Sequence, residues 1–181
     1  MASYIKESIH FPSADGKNQS AGYFYTPENP KAVIQLSHGM CEYVCRYEPM
    51  FEVLCQAGYA VCGNDHLGHG SSVKQADYGF FAEKDGYQLL LRDLKTMNGL
   101  AHEKYKGLPL ILLGHSMGSF LARWYAEKNP QDQDLLVISG TGGPGVLMQF
   151  GLTMARVLSA VKGPRYISKF LVKASMGSYC K

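Results

Sequence analysis

Acidic residues are missing from the last quarter of this chain. The 181 residues include 18 Lys/Arg and 15 Asp/Glu, a formal net charge of +3. All the acids precede Leu135, so a stretch of net charge −3 is followed by one of +6. Such a basic segment is a solvated face, a contact for an anionic surface, or a piece whose acidic partners lie elsewhere. Histidine also stops early. The six are His10, His38, His66, His69, His102 and His115. No apolar run reaches the ~18 residues of a membrane span, which excludes a transmembrane segment. Five cysteines, an odd number without tight spacing, exclude a disulfide framework and fit a reducing cytoplasm. The start, Met1 to Glu7, reaches charge too early for a secretory signal. No histidine pair stands at ligand spacing, so no metal site is expected. Scattered basic residues without a recognition motif exclude nucleic acid as a partner.

What is present suits one globular domain with a sizeable core: 46% of the residues are apolar. Tyr4 to Phe11 reads as a strand, Asp15-Gly16 as a turn, and Ala21 to Tyr25 as the hairpin partner. Ala32 to Leu36, Tyr59 to Cys62, Leu110 to Leu113 and Leu135 to Ile138 are short apolar runs suited to buried strands. Helical spacing appears at Tyr47, Met50, Phe51 and Leu54, along Tyr87 to Ala101, and at Phe120, Leu121, Trp124 and Tyr125. Asp85 and Gln88 have the spacing of a capping box. The alternation predicts an α/β fold: a mostly parallel sheet with flanking helices and an antiparallel hairpin at its first edge. Leu110 to Leu113 is expected to be central. Sheets of this kind carry chemistry in loops at the strands' carboxyl ends.

Gly114-His-Ser-Met-Gly118 lies directly after one such strand and before a helical pattern. That is the setting of a nucleophile elbow, a sharp turn that lifts the Ser116 hydroxyl above the sheet. Gly114 and Gly118 would lack side chains because strand and helix approach closely there. The helix N-terminus and the Met117 N–H would face a developing oxyanion. Ser37-His-Gly-Met40 ends an earlier strand, and Met40 is the candidate for the second oxyanion donor. Gly39 would let the backbone approach substrate, with His38 and His115 supporting the two turns.

These motifs resemble the α/β-hydrolase superfamily, in the branch of monoacylglycerol lipases, lysophospholipases and serine-aminopeptidase-like hydrolases. The matching residues are His38-Gly-Met40, Glu42, Arg46-Tyr47, Asp65-His-Leu-Gly-His-Gly-Ser-Ser72 and Gly114-His-Ser-Met-Gly118, in matching order over residues 20 to 143. The resemblance implies Ser116 as nucleophile of a carboxylic ester hydrolase working through an acyl-enzyme. It implies Met40 and Met117 as oxyanion donors, no cofactor, and a small ester or lipid substrate. Asp65 to Ser72 would be a structural loop. A triad in this fold runs Ser, acid, His. After Ser116 there is no His, and the acids Glu127, Asp132 and Asp134 do not fall at a strand's carboxyl end. The expectation is an amino-terminal portion of a longer hydrolase, lacking its triad Asp and His. Two other readings stay open: an aminopeptidase of the same fold, and a non-catalytic small-molecule binding protein.

Residues 1–143 would then be the amino-terminal part of the core and 144–181 the start of a lid. Gly140-Thr-Gly-Gly-Pro-Gly145 matches a dinucleotide-binding spacing, but no acid follows about 20 residues on, so it reads as an exit into the lid. In the lid, helical spacing recurs at Leu147, Phe150, Met154, Val157, Leu158 and Val161, with cations interspersed. Contact with lipid is weakened as a reading because the charges are not clearly separated from the apolar positions. The last strand would have an unpaired edge, open to self-association.

Overall fold

The computed structural model describes residues 4–74, 77–143 and 145–176, apart from the side chains of 147, 148, 175 and 176. It divides into two compact units, Met1–Thr141 and Gly142–Lys181.

The first unit is built on strands β1 (Tyr4–Pro12), β2 (Gln19–Pro27), β3 (Ala32–Ser37), β4 (Tyr59–Asn64), β5 (Leu110–His115) and β6 (Leu135–Ser139). They form one sheet in the order β1-β2-β4-β3-β5-β6. β1 and β2 pair antiparallel, and β2 runs antiparallel to β4. The remaining pairs are parallel. Parallel neighbours need crossovers, which here are helices α1 (Glu48–Gln56), α2 (Gly86–Lys104) and α3 (Met117–Lys128). A 3-10 turn over Val44–Tyr47 leads into α1, with Pro49 in the first helical turn, where a missing N–H costs nothing.

Alternation along the strands sends side chains to two cores. On one face Phe24, Val33 and Leu110 pack with Met97, Ala101 and Tyr105 of the α2 region. On the other Tyr25, Ile34, Leu36 and Val61 pack with Phe51 and Cys55 of α1. Leu112, Ala122, Tyr125 and Leu94 join β5, α3 and α2, with Leu136 and Ile138 of β6 against them. A buried polar link runs through the first face: Asn98 donates to Gln35 Oε1 at 2.8 Å, and Gln35 donates to the Leu94 carbonyl at 2.9 Å.

Two local expectations change. β5 is interior but not central: it lies one strand in from β6, and β4 and β3 occupy the middle. Asp85 precedes α2 but does not cap it through its side chain, because it adopts the left-handed conformation at φ 51°. A capping carboxylate needs extended backbone to face the first-turn N–H groups. Gln88 instead donates to the Tyr87 hydroxyl at 3.2 Å.

β6 has no strand on its outer side among the described residues. Its Leu135 and Val137 are exposed. The second unit holds α4 (Val146–Lys162) and α5 (Lys169–Met176). Pro144, within the segment read as an exit into the lid, lies outside the described residues. No helix among the described residues is long and apolar enough to cross a membrane.

Candidate active site

β5 ends at His115 and α3 starts at Met117, leaving Ser116 alone at the turn with φ 51° and ψ −118°. A non-glycine residue in that region costs about 1–3 kcal/mol and persists only when its surroundings fix it. The surroundings are backbone. The Ser116 N–H donates to the Ser139 carbonyl of β6 at 3.0 Å, and its carbonyl accepts from the Ser119 N–H at 2.9 Å and the Ser119 hydroxyl at 2.6 Å. A Cβ placed on Gly114 would meet the Gly118 carbonyl oxygen at 2.6 Å and Ala122 Cβ at 2.7 Å. One on Gly118 would sit 1.9 Å from the Ser37 carbonyl oxygen. Both glycines are therefore required by close approach, and Gly118 seats the start of α3 against the end of β3.

The turn after β3 meets the same place. A Cβ on Gly39 would come within 3.2 Å of Ser116 Cβ. The Gly39 N–H is taken by Glu42 Oε2 at 3.2 Å, and Glu42 also accepts from the Tyr47 hydroxyl and faces Arg46 Nε at 3.5 Å. The Met40 N–H keeps no protein acceptor among the described residues. The Met117 N–H is in the first turn of α3, where helices leave donors unpaired. One candidate oxyanion donor therefore lies on each of the two turns that meet at Ser116.

Beneath the β3 turn lies a buried polar layer. His38 Nε2 accepts from the His66 N–H at 2.9 Å, which makes its Nδ1 the protonated nitrogen that donates to the Gly39 carbonyl at 2.8 Å. His66 Nε2 pairs with the Ser37 hydroxyl at 3.0 Å, and its Nδ1 is buried without a partner. The His38 ring lies 4.2 Å from that of His66 and 5.4 Å from that of His69. Asp65 accepts from the Val44 N–H at 2.7 Å and the Ser71 N–H at 2.8 Å, tying the loop over Asp65 to Ser72 to the 3-10 turn that leads into α1. Burial lowers the His38 pKa to about 3. Burial, then the neighbouring rings, pushes His66 well below the usual histidine value, and burial lowers His69. These rings are neutral structural groups.

No histidine bonds the Ser116 hydroxyl among the described residues. His115 turns to Ser139 Oγ at 3.4 Å and stacks edge-on to Tyr47. His69 Nδ1 is 3.3 Å from the Leu67 carbonyl, and His102 contacts the Asp132 carbonyl. The acids after Ser116 are committed elsewhere or distant in the helix. Asp132 accepts from the Tyr125 hydroxyl at 2.5 Å, Asp134 accepts from the Leu110 N–H at 2.8 Å, and Glu127 lies near the end of α3. Among the described residues, no cluster of His, Cys, Asp or Glu has metal-binding geometry. Sequence reasoning did not anticipate the Glu42 clamp on Gly39, although a carboxylate three residues after a turn glycine signals it. Nor did it foresee that Ser139 of β6 anchors Ser116, which only strand pairing reveals.

Residues 28–176 match the model of the family described as serine aminopeptidase, S33 (Hydrolase_4), and the chain belongs to that family. It is 34% identical to human monoglyceride lipase over 121 residues, covering 67% of this chain and 38% of that protein. It is likewise 34% identical over 121 residues to a monoacylglycerol lipase of Mycolicibacterium smegmatis, covering 64% of this chain and 40% of that one. Among solved structures, a thermostable carboxyl esterase from Bacillus coagulans, in complex with glycerol, superimposes with a TM-score of 0.83 at 29% identity. That match covers 95% of this chain and 56% of the esterase. The fold is that of an α/β-hydrolase, and the chain spans about two fifths of the length of the lipase relatives it matches.

The buried histidines set a pH dependence. With folded pKa values below the ordinary ~6.5, they bind protons in the unfolded chain that the native chain refuses. Stability is therefore fully present above about pH 6.5 and is lost as pH falls toward the folded values, at up to about 1.4 kcal/mol per pH unit for each ring. Burial raises the Asp65 carboxyl, which works in the opposite sense as it protonates. Denaturant unfolding is expected to give a free energy that drops from about pH 7 to about pH 5.5; a flat profile would contradict neutral burial of His38, His66 and His69.

Proposed function

We propose that the intact protein is a serine hydrolase of carboxylic esters, with monoacylglycerol- or lysophospholipid-like substrates, and that Ser116 is its nucleophile. The observation that carries this reading is Ser116 itself: a strained, non-glycine turn residue held between two close-packed glycines and facing the Gly39–Met40 turn. Ser116 Oγ attacks the ester carbonyl carbon and gives its proton to a base. The oxyanion takes hydrogen bonds from the Met40 and Met117 N–H groups. The alcohol leaves with that proton, and water releases the acid from the acyl-enzyme. His38, Gly39, Gly114, His115 and Gly118 shape the two turns. No cofactor enters the scheme. In this reading the orienting Asp and the base His come from outside these 181 residues: His38, His66, His69, His102 and His115 bond elsewhere, and His10 is exposed on the edge strand β1. Residues 144–181 begin a lid.

The family's description as an aminopeptidase keeps peptide substrates as the second reading, but the lipase names of the relatives at 34% identity favour esters. A purely binding role fits the missing base and leaves the strain at Ser116 without a purpose. Five cysteines without tight spacing support a reducing compartment such as the cytoplasm.

The decisive experiment is hydrolysis of a p-nitrophenyl acyl ester by the 181-residue chain and by a longer form carrying an Asp and a His beyond Lys181. Loss of a triad histidine costs about 10⁶ in turnover. The short chain is expected to be nearly inactive and the longer form active, with Ser116→Ala abolishing that activity. Near-family turnover by the short chain, lost in Ser116→Ala, would reveal an internal base and overturn the catalytic part of the reading.

Self-association through β6 is a further part of the proposal. The strand Leu135–Ser139 carries no charge or proline of the kind that protects edges. Sedimentation velocity is expected to show concentration-dependent dimers that Val137→Lys dissolves. A monomer at all concentrations, or dimers indifferent to Val137→Lys, would refute pairing at this edge.

A further inference from the structure

Three polar side chains from three elements converge on one sulfur atom, and none takes part in the proposed hydrolysis. Lys6 of β1 donates through Nζ to Glu48 Oε1 of α1 at 2.6 Å and to Cys45 Sγ at 3.6 Å. The hydroxyl of Tyr25 on β2 donates to the same carboxylate oxygen at 2.8 Å and lies 3.6 Å from the same sulfur. Tyr25 is buried and packs on Phe51 with ring centroids 4.8 Å apart, so one wall of the cluster is rigid. The Lys6 and Glu48 side chains are 41% and 37% exposed, so the other wall is open to small solutes.

The sulfur itself is half-buried, on the 3-10 turn over Val44–Tyr47. Cys55 and Cys62 are of another kind. Burial raises both thiols, Cys55 to about 11, and shields them from oxidants. A cysteine near the surface is ordinary by itself. A sulfur within 3.6 Å of a primary amine, with a carboxylate gripping that amine, is a pair of reactants already brought together. Sulfenic acids condense with nitrogen nucleophiles as well as with thiols. Lys6 and Cys45 are 39 positions apart, so a bond between them would close a long loop and constrain the unfolded chain as a disulfide does. It would also tie the edge strand β1 to the turn whose Val44 N–H is held by Asp65.

We propose that Cys45 and Lys6 form a peroxide-responsive pair, joined by hydrogen peroxide through a sulfenamide bond between Sγ and Nζ. In the first step the sulfur attacks peroxide: the O–O bond breaks, an S–O bond forms, and Cys–SH becomes Cys–SOH with release of one water. Sulfur loses two electrons and peroxide gains them. In the second step no electrons change hands. The Lys6 ammonium passes a proton to Glu48, the amine lone pair attacks sulfur, and the S–O bond breaks as the hydroxyl leaves with a proton as water. Altogether Cys–SH, Lys–NH₃⁺ and H₂O₂ give Cys–S–NH–Lys, two waters and one proton. The hydrogen bond to Glu48 raises the Lys6 pKa, so the attacking amine is a minor form, replenished by that proton transfer. The flexible stem of Lys6 lets Nζ close the remaining distance.

The test exposes the whole 181-residue chain to a small excess of hydrogen peroxide, followed by proteolysis and mass spectrometry. The expected product joins the Lys6 and Cys45 peptides, lighter by two hydrogen atoms than the reduced pair, and dithiothreitol separates them. Unfolding the chain in urea before peroxide is expected to lower the yield at least about tenfold, because the fold supplies the proximity. Lys6→Arg keeps a cation beside Glu48 but offers no amine; it is expected to form no link and to leave a Cys45 sulfenic acid that dimedone captures. Cys45→Ser is expected to form no link, and Ser116→Ala to form it at the parental yield. The proposal is overturned if Cys45 pairs with Cys41 within one peptide, if it is oxidised to sulfinic acid without a link, or if it joins another lysine. A link carrying an extra oxygen, one that survives Lys6→Arg, or a yield indifferent to urea also overturns it. No step involves Ser116, so failure here leaves the ester reading untouched, and a chain inactive on esters leaves this pair untouched.

Discussion

One close approach governs the candidate site. The start of α3 presses against the end of β3 so tightly that Gly118 has no room for a single methyl group beside the Ser37 carbonyl. The contact does three things together. It brings the N-terminus of α3 over the sheet. It forces the chain to reverse sharply between His115 and Met117, which leaves Ser116 in a strained conformation. It also places the turn after β3 against Ser116, where a Cβ on Gly39 would come within 3.2 Å of Ser116 Cβ. In the proposed reaction the Met40 and Met117 N–H groups would be the donors fixed in advance that an oxyanion hole requires.

The turn after β3 is held by polar groups that water does not reach. His38 bridges the His66 N–H and the Gly39 carbonyl, and Asp65 gathers N–H groups from two segments. Such groups are expensive to bury unless bonded, and strongly orienting once they are. His38, His66 and His69 serve as rigid neutral spacers here, so these three are not offered to Ser116. Glu42 completes the frame from the solvent side by fixing the Gly39 N–H and the Tyr47 hydroxyl. The Met40 N–H next to it keeps no protein acceptor among the described residues.

Much of this was legible in the sequence because it rests on local rules. Short apolar runs marked β3 to β6, the Asp15-Gly16 turn marked the β1–β2 hairpin, and the Gly114–Gly118 spacing carried its own steric logic. The absence of histidine after Ser116 read as directly. What escaped depends on long-range pairing. Nothing in residues 59–64 announces that β4 sits between β2 and β3, or that β5 lies beside the edge. Asp85 had the right neighbours for a cap and the wrong backbone. The Ser139 carbonyl that holds the Ser116 N–H is an ordinary strand atom, invisible until β5 and β6 are aligned.

The account stands or falls on the contact between Gly118 and β3. The measurement is equilibrium unfolding of Gly118→Ala beside Gly99→Ala, an α2 glycine whose added Cβ meets nothing within 4 Å. Helix propensity alone favours Ala at both positions by up to about 1 kcal/mol. Gly99→Ala is therefore expected to be neutral or stabilising. Gly118→Ala is expected to lose at least about 3 kcal/mol, because the new methyl group must displace backbone. A Gly118→Ala chain within about 0.5 kcal/mol of the parent would show that α3 does not rest on β3 and that the turn at Ser116 is not fixed by it.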